Sequence, residues 1–203
     1  MFRRLRLQFI TIASLAILFI LVFTVGIINT VRAFQTEQEI SKVLNTLTEN
    51  NGSFGKTKKI ETNQGREIPS DSFRFFSVTL SGDEVVSQDT SHTSLINDEE
   101  AATYARAASR MTSTLGTIRE KNINLSYQVS KVSKNKILVV FLDTTSYYNS
   151  SQALLSLSIL LSMFGFIFFV IIVSALSGIV IRPFIRNYEK QRRFITNAGH
   201  ELK

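Results

Sequence analysis

Phe9–Ile28 reads FITIASLAILFILVFTVGII, and Ala153–Ile181 reads ALLSLSILLSMFGFIFFVIIVSALSGIVI; neither run carries a charge. The first has 20 residues and the second 29. A helix needs about 20 apolar residues to cross a hydrocarbon core roughly 30 Å thick. The first run matches that length. The second exceeds it, so it must tilt or project from the bilayer, and Ser156, Ser158 and Ser162 put the projection on the outer side. Core helices of soluble proteins rarely stay uncharged over such lengths. A cleaved signal peptide would use Arg3, Arg4 and Arg6 as its basic leader, but the apolar stretch outruns the usual roughly 7–15 residues and no small-x-small cleavage site follows. The expectation is a membrane protein with transmembrane helices at 9–29 and 153–181.

Charge orients these spans. The chain has 203 residues and a net charge of +7. A basic chain ordinarily raises nucleic acid as a partner, but position removes that idea. Residues 1–29 carry +3, residues 30–152 balance 14 basic against 14 acidic side chains, and residues 182–203 carry +4. The whole excess flanks the apolar runs, as expected when Lys and Arg are retained on the cytoplasmic side. A basic cytoplasmic N-terminus (1–8), an external domain (30–152) and a cytoplasmic C-terminal segment (182–203) follow, with both chain ends inside. The chain has no cysteine, which excludes a disulfide-stapled domain and any thiolate metal site.

Past the first span, Ile40, Val43, Leu44 and Leu47 form one apolar helical stripe, ended by Asn50-Asn51-Gly52. Ser53–Ser72 reads as loop, and Lys56, Lys58 and Lys59 within it as solvated charges. Phe73–Leu80 reads as a strand and Glu84–Gln88 as its hairpin partner across Ser81-Gly82-Asp83. Asn97 or Asp98 caps a helix running to about Met111, slim with alanine, with Glu99 and Glu100 in its first turn. Thr114–Arg119 is a weak strand. Ile123, Leu125, Tyr127 and Val129 alternate with Asn124, Ser126, Gln128 and Ser130, which predicts a half-buried strand with one wet face. Ile137–Leu142 is continuously apolar and reads as a central strand. Asp143–Gln152 is polar and leads into the second span. The order helix, two strands, helix, three strands describes an α+β domain on an antiparallel sheet. In that order it resembles the extracytoplasmic PAS-like or Cache sensor domains of bacterial receptors.

No catalytic constellation stands out in the external segment. His92 is its only histidine and reads as an exposed loop residue, with no partners for a metal site. Nucleophile-elbow, zincin and phosphate-loop motifs do not occur. Asn51-Gly-Ser53, Asn124-Leu-Ser126 and Asn149-Ser-Ser151 match the glycosylation pattern, which is too short to carry weight.

The informative stretch is the last. After Pro183, placed where a new helical segment can start, Phe184, Tyr188, Gln191, Ile195, Ala198 and Leu202 are spaced 4, 3, 4, 3, 4. That is a heptad seam, and a seam needs a partner helix. With Phe184 at d, His200 falls at f, farthest from the seam and exposed. Glu189–Lys203, EKQRRFITNAGHELK, resembles the phosphoacceptor box of the sensor histidine kinases of two-component systems. In that family a phenylalanine precedes the histidine by six residues, as Phe194 does here, and Glu-Leu-Lys or a close variant follows it, as Glu201-Leu202-Lys203 does.

The resemblance implies that the protein is the input half of a bacterial plasma-membrane sensor kinase. His200 would accept a phosphoryl group from ATP and pass it to an aspartate of a cognate response regulator. Glu201 would be the general base that readies the imidazole. It further implies a homodimer, an external ligand of unknown identity, contact with membrane lipid and no nucleic-acid partner. ATP with Mg would be held by a catalytic domain outside this sequence, since no nucleotide-binding box occurs within it and the chain stops at Lys203, where the family usually continues with Thr-Pro. The stretch between Ile181 and His200 leaves no room for a HAMP relay. The alternative is a non-enzymatic membrane receptor or adaptor whose basic tail binds lipid or a partner.

Overall fold

The computed structural model describes the backbone of residues 2–61, 65, 67–120 and 123–201; side-chain surroundings are not described for residues 2–3, 180–182, 184–189 and 191–201. The elements in chain order are α1 (Phe2–Glu49), β1 (Lys59–Glu61), β2 (Glu67–Pro69), a short 3-10 turn (Ser70–Ser72), β3 (Phe75–Ser81), β4 (Glu84–Asp89), α2 (Asp98–Ser109), β5 (Leu115–Glu120), β6 (Ile123–Ser133), β7 (Lys136–Asp143) and α3 (Thr145–Glu201). The chain forms two compact units, one of Met1–Asn29 with Leu154–Lys203 and the other of Thr30–Ala153. Two long apolar helices thus bracket an α+β sheet domain.

In the Thr30–Ala153 unit, a five-stranded antiparallel sheet has the order β4-β3-β7-β6-β5. β7 lies at its centre because every residue from Leu138 to Leu142 is apolar and can be buried whichever way it points. Leu138, Val140 and Leu142 join Ile40, Val43, Leu44 and Leu47 of α1 in one core cluster. Val139 and Phe141 point the other way, into a second cluster with Ala101, Ala105 and Ala108 of α2. The result is three layers, helix on sheet on helix. Fully burying a Val or Leu side chain contributes roughly 1.5–3 kcal/mol, so the α1 stripe alone is a major part of what holds this unit together.

Local signals fix where these elements start and stop. α1 ends where Asn51 (φ 55°) and Gly52 (φ 88°) enter the left-handed region and the Gly52 N–H reaches back to the Leu47 carbonyl at 2.7 Å. A side chain at Gly52 would also collide with Ser77 Oγ. Asn97, not Asp98, caps α2. Its Oδ1 accepts from the Glu100 N–H at 2.8 Å, and Glu100 Oε2 accepts from the Asn97 N–H at 3.1 Å, a reciprocal capping box.

Several expectations need correction. The Ser53–Ser72 stretch is not all loop: β1 and β2 pair within it as a small antiparallel ribbon, with Lys59 Nζ bonded to Glu67 Oε2 at 2.6 Å. The expected wet face of β6 is closed off at Ser126, which is 2 % exposed, and only partly covered at Asn124, Gln128 and Ser130. Gln128 Nε2 donates to Asn45 Oδ1 of α1 at 2.8 Å. Pro183 lies inside α3 rather than at the start of a new helix. Proline forfeits one intrahelical hydrogen bond, a local loss that a long helix absorbs.

In the other unit, α1 and α3 pack side by side in opposite directions. Arg6 Nε donates to Ser177 Oγ and Arg6 Nη2 to the Ser174 carbonyl, both at 2.8 Å, and Ser177 is fully buried. Farther along, Leu18, Val22 and Gly26 line an apolar groove of about 460 Å3 with Ile159, Met163 and Phe166. Arg4–Glu49 and Thr145–Ile179 are long and apolar enough to cross a membrane. Ile12, Phe19 and Leu161 are each at least 70 % exposed, which no core helix of a soluble domain tolerates in such numbers.

Candidate functional site

His200 and Glu201 occupy the last described turn of α3. Their side chains lie outside the description, as does that of Phe194, and Leu202 and Lys203 lie outside the described residues altogether. The helical backbone through Glu201 carries the whole spacing of the seam from Phe184 to Ala198 on one element.

At its other end α3 is built into the sheet domain by a polar cluster. Asp143 ends β7, and its Oδ1 accepts from the Thr145 N–H at 2.9 Å. Thr144 has no exposure. Its N–H and Oγ1 both donate to the Asn124 carbonyl, at 2.8 and 3.0 Å, and its Oγ1 lies 3.1 Å from Ser126 Oγ. Thr117 Oγ1 on β5 is 3.3 Å from the same Ser126 hydroxyl. The Asn124 N–H donates to Thr145 Oγ1 at 3.0 Å. The hydroxyls of this chain satisfy one another, so burying them does not carry the cost of unpaired polar groups.

One turn on, Tyr147 donates to Glu39 Oε1 of α1 at 3.1 Å, and the Arg119 guanidinium lies 5.1 Å from the centre of the Tyr148 ring. A groove of about 350 Å3 opens beside this cluster. Residues of α1 from Phe34 to Ser41 form one wall and Leu115 and Thr117 of β5 another, and Ser126 and Tyr148 also line it. Any group entering it would touch α1, the sheet and the first turn of α3 together.

None of this cluster was picked out from the sequence beyond the polarity of Asp143–Gln152. Asp143-Thr144-Thr145 ahead of a helical stretch is a start signal of the kind that could have found it. His92 is exposed, as expected, but not idle: its ring stacks on Phe75 with centroids 4.4 Å apart. Among the described residues, no three His, Cys, Asp or Glu side chains come together as a metal site. Compared with protein-family models and with curated proteins, the chain finds no match.

Proposed function

We propose that the protein is the input half of a membrane sensor histidine kinase. In this reading Thr30–Ala153 is an extracytoplasmic PAS-like or Cache-like sensor domain, the apolar stretches of α1 and α3 span the plasma membrane, and the segment from Arg182 begins a cytoplasmic dimerisation helix that presents His200. The observation that carries the reading is that α3 is one helix, Thr145–Glu201: Thr144, at the head of that helix, and Tyr147 and Tyr148 in its first turn are hydrogen-bonded or stacked into the sheet domain, and its last turn holds the His-Glu pair of the phosphoacceptor-like box. The charge partition around the apolar runs and the order of elements in the domain support the same reading.

The chemistry asked of His200 suits an imidazole. Its neutral form is nucleophilic near neutral pH, and Glu201 can accept or orient the other ring proton. Phosphoryl transfer depends mainly on positioning the nucleophile in line with the phosphate. The test uses the parent protein carrying a nucleotide-binding domain, incubated with labelled ATP and Mg. Wild type should gain acid-labile, base-stable label, His200→Gln none, and Glu201→Ala should gain it slowly while still folded. Label persisting in His200→Gln would overturn the assignment and leave a receptor whose basic tail binds lipid or a partner protein.

A further inference from the structure

Met111 lies between α2 and β5 and is 51 % exposed. The chain has three methionines and no cysteine, and Met111 carries the only sulfur in residues 30–153. Its thioether is not simply a surface group. The Tyr127 hydroxyl donates to Met111 Sδ at 2.9 Å. Tyr127 is 2 % exposed and belongs to the α2-side core, its ring 5.9 Å from that of Phe141. Gly116 on β5 lies directly against the phenol. A Cβ there would sit 2.5 Å from Tyr127 Oη and 2.7 Å from Cζ, so the ring has no room to withdraw on that side. A half-exposed methionine is thereby joined, through one hydrogen bond to its sulfur, to a tyrosine clamped inside the sheet.

We infer that Met111 is a site of oxidation by hydroperoxides, and that Tyr127 transmits its oxidation state to the core of the sheet domain. Exposed thioethers are the methionines that peroxides reach. In the reaction a sulfur lone pair attacks one peroxide oxygen, an S–O bond forms and the O–O bond breaks. The departing oxygen takes up a proton and leaves as water or an alcohol. The sulfur is oxidised by two electrons and the peroxide is reduced by two. The product carries an extra oxygen on a sulfur that has given up a lone pair and gained positive character, which makes it a poor acceptor for the phenol. Gly116 blocks retreat of the phenol, so the ring cannot turn away to another partner. The Tyr127 hydroxyl then loses its partner in a place where an unpaired polar group is costly.

The test uses the full chain in detergent micelles, treated with hydrogen peroxide and followed by peptide mass and thermal unfolding. Trypsin cuts after Arg110 and Arg119, so Met111 sits alone in the peptide Met111–Arg119. Wild type should gain one oxygen in that peptide, and the unfolding midpoint of the sheet domain should fall. Tyr127→Phe, which keeps the ring and removes the hydroxyl, should gain the same oxygen with no fall in midpoint. Met111→Leu should show neither change. The inference fails if the peptide stays unoxidised under conditions that oxidise it in urea. It fails equally if oxidation leaves the wild-type midpoint unmoved, or lowers wild type and Tyr127→Phe alike. None of these readouts depends on phosphorylation at His200.

Discussion

Tyr147 in the first turn of α3 and Glu39 on α1, 108 residues apart in the chain, are joined by a hydrogen bond of 3.1 Å. The Tyr147 ring also packs against the cluster formed by Ile40, Val43 and Leu44, so one side chain ties both helices to the same core. A hydrogen bond to a charged acceptor contributes roughly 1.5–3 kcal/mol where it is well shielded and less where water reaches it. Tyr147→Phe should therefore cost about 1 kcal/mol in the unfolding of the sheet domain. A double-mutant cycle with Glu39→Gln, read by urea unfolding of the full chain, should give a coupling of at least about 0.5 kcal/mol. Purely additive effects would show that the contact contributes nothing.

Ser126 sits beside Leu125 on β6, and the two are 2 % and 3 % exposed on opposite faces. Alternation alone makes Leu125→Asp ruinous and Ser126→Asp harmless. The structure makes both ruinous, because an unpaired carboxylate at either place costs several kcal/mol. Ser126→Ala should be mild, about 1 kcal/mol, since Thr144 Oγ1 keeps its bond to the Asn124 carbonyl. Thermal unfolding of the three variants decides the matter. A Ser126→Asp protein as stable as wild type would return that face to solvent.

The contrast at Ser126 shows what sequence can and cannot carry. The apolar stripe of α1 and the continuous apolar run of β7 were legible, because each is a local pattern with one physical solution, and the α2 cap was legible to within one residue, Asn97 or Asp98. The covering of the second face of β6 was not. Ser126 and Gln128 look the same whether they meet water or meet Thr144 and Asn45, and the partner lies far away in the chain. β1 and β2 are three residues each, too short for a period to emerge. The cluster around Thr144 draws on β5, β6, β7 and α3, with α1 joining one turn on, and no single stretch announces it.

Tyr104 offers a check on electrostatics. Its hydroxyl donates to Glu120 Oε2 at 2.7 Å. That bond, then partial burial, then the carboxylate charge push its pKa from 10.0 up to about 12. The folded pKa is raised, so the protonated phenol is favoured by folding. Its contribution is complete below pH 10.0 and is lost as pH climbs toward about 12. Because Tyr104 is only partly buried, the energy is small. Wild type should be slightly more stable than Tyr104→Phe at pH 8, with the gap closing across that alkaline window. A gap that widens with pH would reverse the sign and refute the hydrogen bond as the cause.

Membrane topology is the expectation with the widest consequences. The apolar stretches of α1 and α3 are bounded by basic residues at one end of each and by the electrically balanced Thr30–Ala153 unit at the other. Lys and Arg resist translocation, so the basic ends should lie in the cytoplasm and the sheet domain outside. The chain has no cysteine, so single cysteines report cleanly. Ser87, on the edge strand β4, and Lys190, in the C-terminal part of α3, are both exposed and tolerate replacement on that ground. In intact cells a membrane-impermeant maleimide should label Ser87→Cys and spare Lys190→Cys. After the membrane is opened with detergent both should react, which separates a protected thiol from a buried one. Labelling of Lys190→Cys in intact cells would put the His200 segment on the same side as the sheet domain. A phosphoacceptor outside the cytoplasm would have neither ATP nor a response regulator within reach, and the sensor-kinase proposal would fall with the topology.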